Sequence, residues 1–377
     1  MSSRPGPRAN ETAQSDDARQ AVVALQGWYD PPSGLWSTTG WWNSANCLTV
    51  LVDWALHAGS KTGGLDVAGI VSNTFNNAQK ATFTTQKTLS ATGLIESTYN
   101  FHSTGKRGFS GFLNDFYDDE GWWALALIRS WDVTHEDAYL DMAESIFDDM
   151  QNGTDATCGG GIWWSKERAY KNAIANELYL SVAASLANRV EGSRERYRQV
   201  AMDEWAWFKG SGMINENNLI NDGLQIEPGG SCVNNGMNTW SYNQGVVLGG
   251  LVELAKATGD SSYLGEAADI ATAAIALLSD SNGIIHEVDR CEPSCGNDGS
   301  QFKGIFVRNL QYLHRAAPQD VFRTTIRKNA DSIWAKDRNS QNQLGIAWTG
   351  PPDLGDGPNA STHSSAMDVL VAALAVS

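Results

Sequence analysis

The amino-acid sequence predicts an all-α fold, on three observations. Apolar residues recur at helical spacing along almost the whole chain, broken by Gly-, Asn- and Pro-rich loops and with few convincing alternating strands. The decapeptides THEDAYLDMA from Thr134 and TGDSSYLGEA from Thr258 share Thr, Tyr-Leu and Ala at equal offsets, with a fainter copy around Tyr197, which marks a repeated supersecondary unit. The helical segments also alternate in character. NQGVVLGGLVELA and SSAMDVLVAALAV are apolar nearly all round, whereas DAYLDMAESIFDDM is amphipathic. Helices of the first kind need cover on both sides and those of the second lie outside, so the unit is a helical hairpin. The whole is an (α/α)6 barrel of six inner and six outer helices.

Taken in order, helices are expected to begin near Asp17, Trp42, Leu65, Phe112, Asp137, Ala169, Arg194, Ser241, Ser262, Phe302, Asp320 and His363. The polar, Pro- and Ser-rich stretch before the first reads as a disordered leader over 1–16, leaving 17–377 as one domain. The inner members open on polar and aromatic motifs: TGWWNSAN, YDDEGWW, IWWSKERAYKNAIANE, WSYNQG, QFKG and STHSS. If the inner helices run the same way, those starts converge on one barrel face, which is the candidate cleft.

Composition narrows what that cleft takes. A net charge of −16 over 377 residues leaves no basic patch to release counterions from phosphates, which excludes nucleic acid and anionic lipid as partners. The longest apolar runs fall far short of the roughly 20 residues that span a bilayer. Fifteen Trp are more than a core needs, and indole faces stack on the apolar faces of sugar rings, so a neutral glycan is the expected ligand. Of five cysteines, Cys291 and Cys295 are spaced to close a small loop, Cys158 and Cys232 lie in Gly-rich loops that tolerate bridges, and Cys47 reads as a free core thiol. Their spacing does not suit zinc, and no metal or other cofactor is expected. Sequons at Asn10, Asn152 and Asn359 agree with a secreted eukaryotic chain, and a monomer is expected.

The segment FYDDEGWW, residues 116 to 123, carries the chemistry. Acids in a first helical turn are favoured by the macrodipole and by capping, which is the structural reading of Asp118 and Asp119. The flanking Tyr117, Trp122 and Trp123 give the acids a partly apolar setting that raises carboxyl pKa values. Adjacent aspartates at a helix start suit the roughly 5–5.5 Å carboxyl separation of retaining glycosidases better than the roughly 6.5–9.5 Å of inverting ones. An Mg2+-diphosphate motif of the terpene-cyclase kind fails, because the fourth position after Asp118 falls on Trp122 and no second metal motif follows.

TGWWNSANCLTVLVD, DDEGWWALALIRSWD, GGIWWS with KNAIANELYLSVAA, WSYNQGVVLGGLVELAKATGD and FKGIFVRNL together resemble, in order, the signatures of glycoside hydrolase family 76, the endo-α-1,6-mannanase family. The resemblance runs from about Trp36 to the C-terminus. It implies an (α/α)6 barrel, α-1,6-mannan or a mannooligosaccharide as substrate and a retaining mechanism, with Asp118 as nucleophile and Asp119 as general acid/base. The family also contains fungal cell-wall transglycosidases, so transfer to a sugar hydroxyl is the first alternative and a non-catalytic glycan-binding barrel the second.

Further candidates for substrate contact are Trp41, Trp42, Trp122, Trp163, Trp164, Tyr117 and Phe302 as aromatic surfaces. Lys171, Asn172, Tyr242, Asn243, Gln244 and Lys303 are candidate donors, with Asn46 and Asp222 behind them. Asn and Gln at helix starts also cap neighbouring loops, and His363 reads as an interhelical hydrogen-bonder.

Overall fold

The computed structural model describes residues 7–59, 63–101 and 109–376, with side chains from Gln14 onward. Twelve α-helices are described: α1 Pro7–Leu25, α2 Trp41–Ala58, α3 Val67–Ala78, α4 Tyr117–Thr134, α5 Asp137–Gln151, α6 Ala173–Ala187, α7 Arg194–Gly210, α8 Ser241–Thr258, α9 Ser262–Leu278, α10 Gly296–Ala316, α11 Asp320–Lys336 and α12 Ala360–Ala375. The even-numbered helices touch in the closed ring α2–α4–α6–α8–α10–α12–α2, and an odd-numbered helix packs outside each. The ring follows from the sequence pattern. Every residue of α6 is buried, whereas α9 buries only Ala267, Ile270, Ala271, Ala274, Ile275 and Leu278, a single stripe.

Several helix starts move from their expected places for local reasons. The first helix begins at Pro7 rather than Asp17, with proline at a position whose N–H would have no helical partner. The helix expected from Phe112 begins at Tyr117, because Asn114 turns the chain by accepting from Phe116 N and Phe116 pairs as extended backbone with Ser165. The helix expected from Ala169 begins at Ala173, where the Asn172 side chain caps Ala175 N. The start expected at Phe302 moves back to Gly296, placing Asp298 in the first turn.

The larger correction concerns strands. Three two-stranded antiparallel hairpins are described: β1 Tyr29–Asp30 with β2 Leu35–Trp36, β3 Phe83–Leu89 with β4 Ile95–Phe101, and β5 Leu224–Ile226 with β6 Cys232–Asn234. The seven-residue pair β3–β4 was not expected. Its register sets Lys87 opposite Ser97 and Thr85 opposite Tyr99, so Lys87 and Tyr99 share one face.

Disulfides join Cys158 to Cys232 and Cys291 to Cys295, and Cys47 is a buried free thiol. His363 links elements as expected: its Nδ1 accepts from Leu344 N at 3.0 Å, so its Nε2 donates to Ala21 O at 2.8 Å. Of the sequons, Asn152 is exposed beyond α5, and Asn359 caps α12 in a capping box with Thr362. The Asn10 side chain lies outside the described residues.

Candidate active site

The first turn of α4 carries Asp118, Asp119 and Glu120, all buried: Asp118 is 4% exposed, Asp119 and Glu120 0%. Three acids tolerate this because each is placed at a helix N-terminus and given donors. Glu120 is a structural anchor, accepting from Asn114 N at 2.9 Å and Lys166 Nζ at 2.8 Å. Asp119 Oδ2 accepts from Asn114 Nδ2 at 2.6 Å and Tyr99 OH at 2.8 Å. Lys87 reaches both members of the adjacent pair, 2.8 Å from Asp118 Oδ2 and 2.6 Å from Asp119 Oδ1. Oxygens bridged by one ammonium at those distances lie no more than about 5.5 Å apart, within the range of a double-displacement pair. Asp118 Oδ1 receives no donor among the described residues.

Burial is the main force on these groups. It raises the Asp119 carboxyl to about 6; Lys87 pulls against that rise and the neighbouring Asp118 charge adds to it. Burial works to lower the Lys87 ammonium, yet the two carboxylates outweigh it and hold Lys87 above its ordinary range. The ring faces of Phe116, 4.9 Å away, and Trp164, 5.8 Å away, complete the cage around this ammonium.

Beside Asp118 lies a recess bounded by Trp42, Ile95, Trp122, Tyr242, Asp298, Phe302 and the Lys87 side chain. Trp42 stacks on Trp122 with centroids 5.4 Å apart, and Tyr242 lies face to face on Phe302 at 3.8 Å. Asp298 fixes this wall, accepting from Trp42 Nε1 at 3.1 Å and Ser97 N at 2.8 Å. The Tyr242 hydroxyl is buried without a partner among the described residues. Near by, Asp222 accepts from Tyr170 OH at 2.5 Å, and burial raises its carboxyl to about 7.

The structure thus gathers Trp42, Trp122, Tyr242 and Phe302 around Asp118, with Trp164 against Phe116. Other candidates have different work. Lys171 Nζ is fully buried and ties a loop together through Asp155 Oδ1 and the carbonyls of Thr157, Gly160 and Gly161. Lys303 pairs with Glu292 and Ile346 O; Gln244 clamps Ile220 through both its N–H and C=O. Asn172 caps α6, Asn46 accepts from Arg308, and Trp41 is core, donating to Ala78 O among Phe83, Phe112 and Trp123. Trp163 donates to Asp155, Tyr117 packs under Gly153, and Asn243 is fully buried.

Sequence reasoning missed Lys87, Tyr99, Asn114 and Asp298. A signal for the first two was present: Phe83, Thr85, Lys87 and Leu89 alternate with Thr84, Gln86 and Thr88, and a Ser-Ala-Thr-Gly turn at 90–93 follows.

A ring of inner helices presenting a buried acid pair beside an aromatic recess is the arrangement of a glycan-processing α/α barrel. Residues 15–377 match glycosyl hydrolase family 76, and the chain belongs to that family. It is 26% identical over 309 residues to the mannan endo-1,6-alpha-mannosidase DFG5 of Candida albicans, covering 77% of this chain and 62% of that protein. It is 28% identical over 217 residues to the mannan endo-1,6-alpha-mannosidase DCW1 of Saccharomyces cerevisiae, covering 54% of this chain and 47% of that one. The chain therefore spans less than two thirds of these curated relatives. Among solved structures, an inactive variant of a Salegentibacter alpha-1,6-mannanase, with two consecutive aspartates changed to asparagine and alpha-1,6-mannotriose bound, superposes with a TM-score of 0.80 at 20% identity, covering 97% of this chain and all of that one. Dfg5 from Chaetomium thermophilum in complex with glucosamine superposes at 0.75 and 17% identity, covering 97% and 90%. At those identities the likeness is one of fold. No described helix is long and apolar enough to cross a membrane.

Proposed function

We propose that this chain is a retaining endo-α-1,6-mannanase that acts outside the cell, with Asp118 as nucleophile and Asp119 as general acid and then general base. The observation that carries this reading is the pair itself: two adjacent carboxylates close enough to share one ammonium, buried at an aromatic-walled barrel mouth. The roles differ by environment. Asp119, fully buried and raised to about 6, is the one suited to hold a proton for the leaving oxygen. Asp118 faces the recess with Oδ1 unengaged by any described residue, available to attack an anomeric carbon. The resulting mannosyl–Asp118 ester is released when Asp119 takes a proton from the incoming hydroxyl. Two disulfides fit an oxidising compartment.

Near-complete exclusion of solvent from the pair favours a second reading, in which the ester persists until a sugar hydroxyl arrives and the product is a transferred chain. Incubation with an unbranched α-1,6-mannan separates the two. Shorter products whose first-formed anomer is α by NMR support retaining hydrolysis, and longer products support transfer. An early β anomer, or binding with no turnover, overturns the retaining assignment or the enzyme reading respectively.

A further inference from the structure

The β3–β4 hairpin lies across the mouth of the barrel and is fastened along its length. At the tip, Asn238 N, just before α8, donates to Thr92 O at 3.0 Å. On the α10 side, Asn297 N donates to Glu96 Oε2 at 3.1 Å and Ser97 N to Asp298 Oδ2 at 2.8 Å. Over α4, the face that carries Lys87 and Tyr99 meets the acid pair. Under the hairpin the recess beside Asp118 holds about 10 Å³. That is about the space one water needs, whereas ligand pockets run to roughly 300–1,000 Å³. A sugar ring has no room beside Asp118 while the hairpin lies there.

Resting on the mannanase reading above, we propose that this hairpin is a strap that closes the sugar cleft in the resting protein. Lys87 stands between the two carboxylates in the position the anomeric carbon and glycosidic oxygen must take, and glycan enters only by displacing it. The chemistry requires that exchange. An ammonium contacting Asp119 opposes protonation of that carboxyl, whereas protonation of a leaving oxygen needs a proton on Asp119. The lysine-bridged state and the reactive state therefore exclude each other. Displacement is feasible because lifting the strap returns the ammonium to water rather than leaving it buried alone, while sugar hydroxyls can donate to the carboxylates in its place. Lys87 is thus a specificity-determining residue: a ligand must offer neutral donors to both acids and enough ring contact with Trp42, Trp122, Tyr242 and Phe302 to hold the strap open.

Hydrogen exchange on the full chain tests the strap without any glycan. In Lys87→Met, and separately in the double variant Asp118→Asn with Asp119→Asn, amides of 84–89 and 95–101 should exchange at least about tenfold faster than in the wild type, with the inner helices unchanged. The second variant decides the matter if the first fails to fold; wild-type protection of the hairpin in a folded variant overturns the proposal. Calorimetric titration with α-1,6-mannotetraose supplies the other arm. Lys87→Met should bind about tenfold tighter than the wild type, and weaker binding would overturn the strap by making Lys87 a sugar contact. If neither protein binds, the mannanase reading fails, and the exchange measurement alone decides whether the hairpin is a strap.

Discussion

The two mouths of the barrel are opposites in charge and in shape. At the N-terminal ends of the inner helices the acids Asp118, Asp119 and Asp298 crowd around one cation, Lys87, and the free space is about 10 Å³. At the C-terminal ends a cavity of about 370 Å³ is lined by Arg129, Lys256, Arg308, Arg315 and Tyr312, with Trp122 as a wall common to both. The helix dipoles account for the sign at each end, since N-termini favour carboxylates and C-termini favour cations. What differs is how the charges are balanced. Two of the arginines are matched by resident acids, Arg129 with Asp53 and Asp132 and Arg308 with Asp368 and the Asn46 carbonyl. At the other mouth two acids compete for one lysine, and the Asp118 Oδ1 and Tyr242 hydroxyl beside it have no partner among the described residues. The larger cavity lies away from the acid pair, so the size of a hollow does not locate the chemistry.

The largest effect should come from the crowded mouth. Asp118→Asn and Asp119→Asn are each expected to lower mannan turnover at least about a thousandfold with the fold retained, because covalent and acid catalysis are both large contributions. Lys256→Ala and Arg315→Ala, at the open mouth, should leave turnover within about twofold. A comparable loss there would mean the mouths have been assigned the wrong way round.

Next in size is a stability effect confined to the open mouth. Arg308→Ala strands the buried Asp368 and should cost about 3 kcal/mol in denaturant unfolding, with unchanged turnover per folded molecule. A neutral result would show that water reaches Asp368.

Tyr242→Phe should weaken mannotetraose binding by about 1 kcal/mol if its hydroxyl meets the sugar, and should not lower the melting temperature, since no bond to a described residue is lost. Reduced stability with unchanged binding would place the hydroxyl in the structure instead.

The smallest prediction concerns pH. Burial raises the carboxyls of Glu204 and Asp337 to about 8 and those of Asp222 and Glu287 to about 7. A raised carboxyl contributes stability that is complete below its unfolded pKa near 4 and is lost as pH rises through the folded value. The melting temperature should therefore fall between pH 5 and pH 8. His363, held neutral by burial with its pKa lowered to about 4, acts in the other direction, losing its contribution as pH drops below about 6.5. A melting temperature that rises from pH 5 to 8 would contradict the buried, neutral state of these carboxyls.

The helices were legible in the sequence because each inner one is apolar all round and each outer one carries a stripe, and a ring of such pairs has few other ways to bury itself. The acid pair was legible because aromatic residues and acids seldom share a first turn by accident of packing. The strap was not. Phe83–Leu89 sets the half-buried Phe83, Thr85 and Lys87 against the exposed Thr84, Gln86 and Thr88, but both faces carry polar residues, so the alternation is chemically faint, and a lysine in such a strand reads as facing solvent. Its actual partners are supplied by a helix 31 residues further on, a contact no local pattern contains. Lys171 and Lys303 erred in the opposite sense: polar motifs beside the cleft looked like ligands for sugar, yet loop carbonyls and Glu292 had already claimed them.

The ring of inner helices is closed by α12, which sits between α10 and α2 and also covers α1. During synthesis this seat stays empty until the last of the inner helices has left the ribosome, so α1 and α2 carry uncovered apolar faces for most of the time the chain is being made, and α10 from its own emergence until then. The nascent chain should depend on chaperones until that moment, and premature termination anywhere before residue 360 should yield an aggregating fragment rather than a smaller barrel.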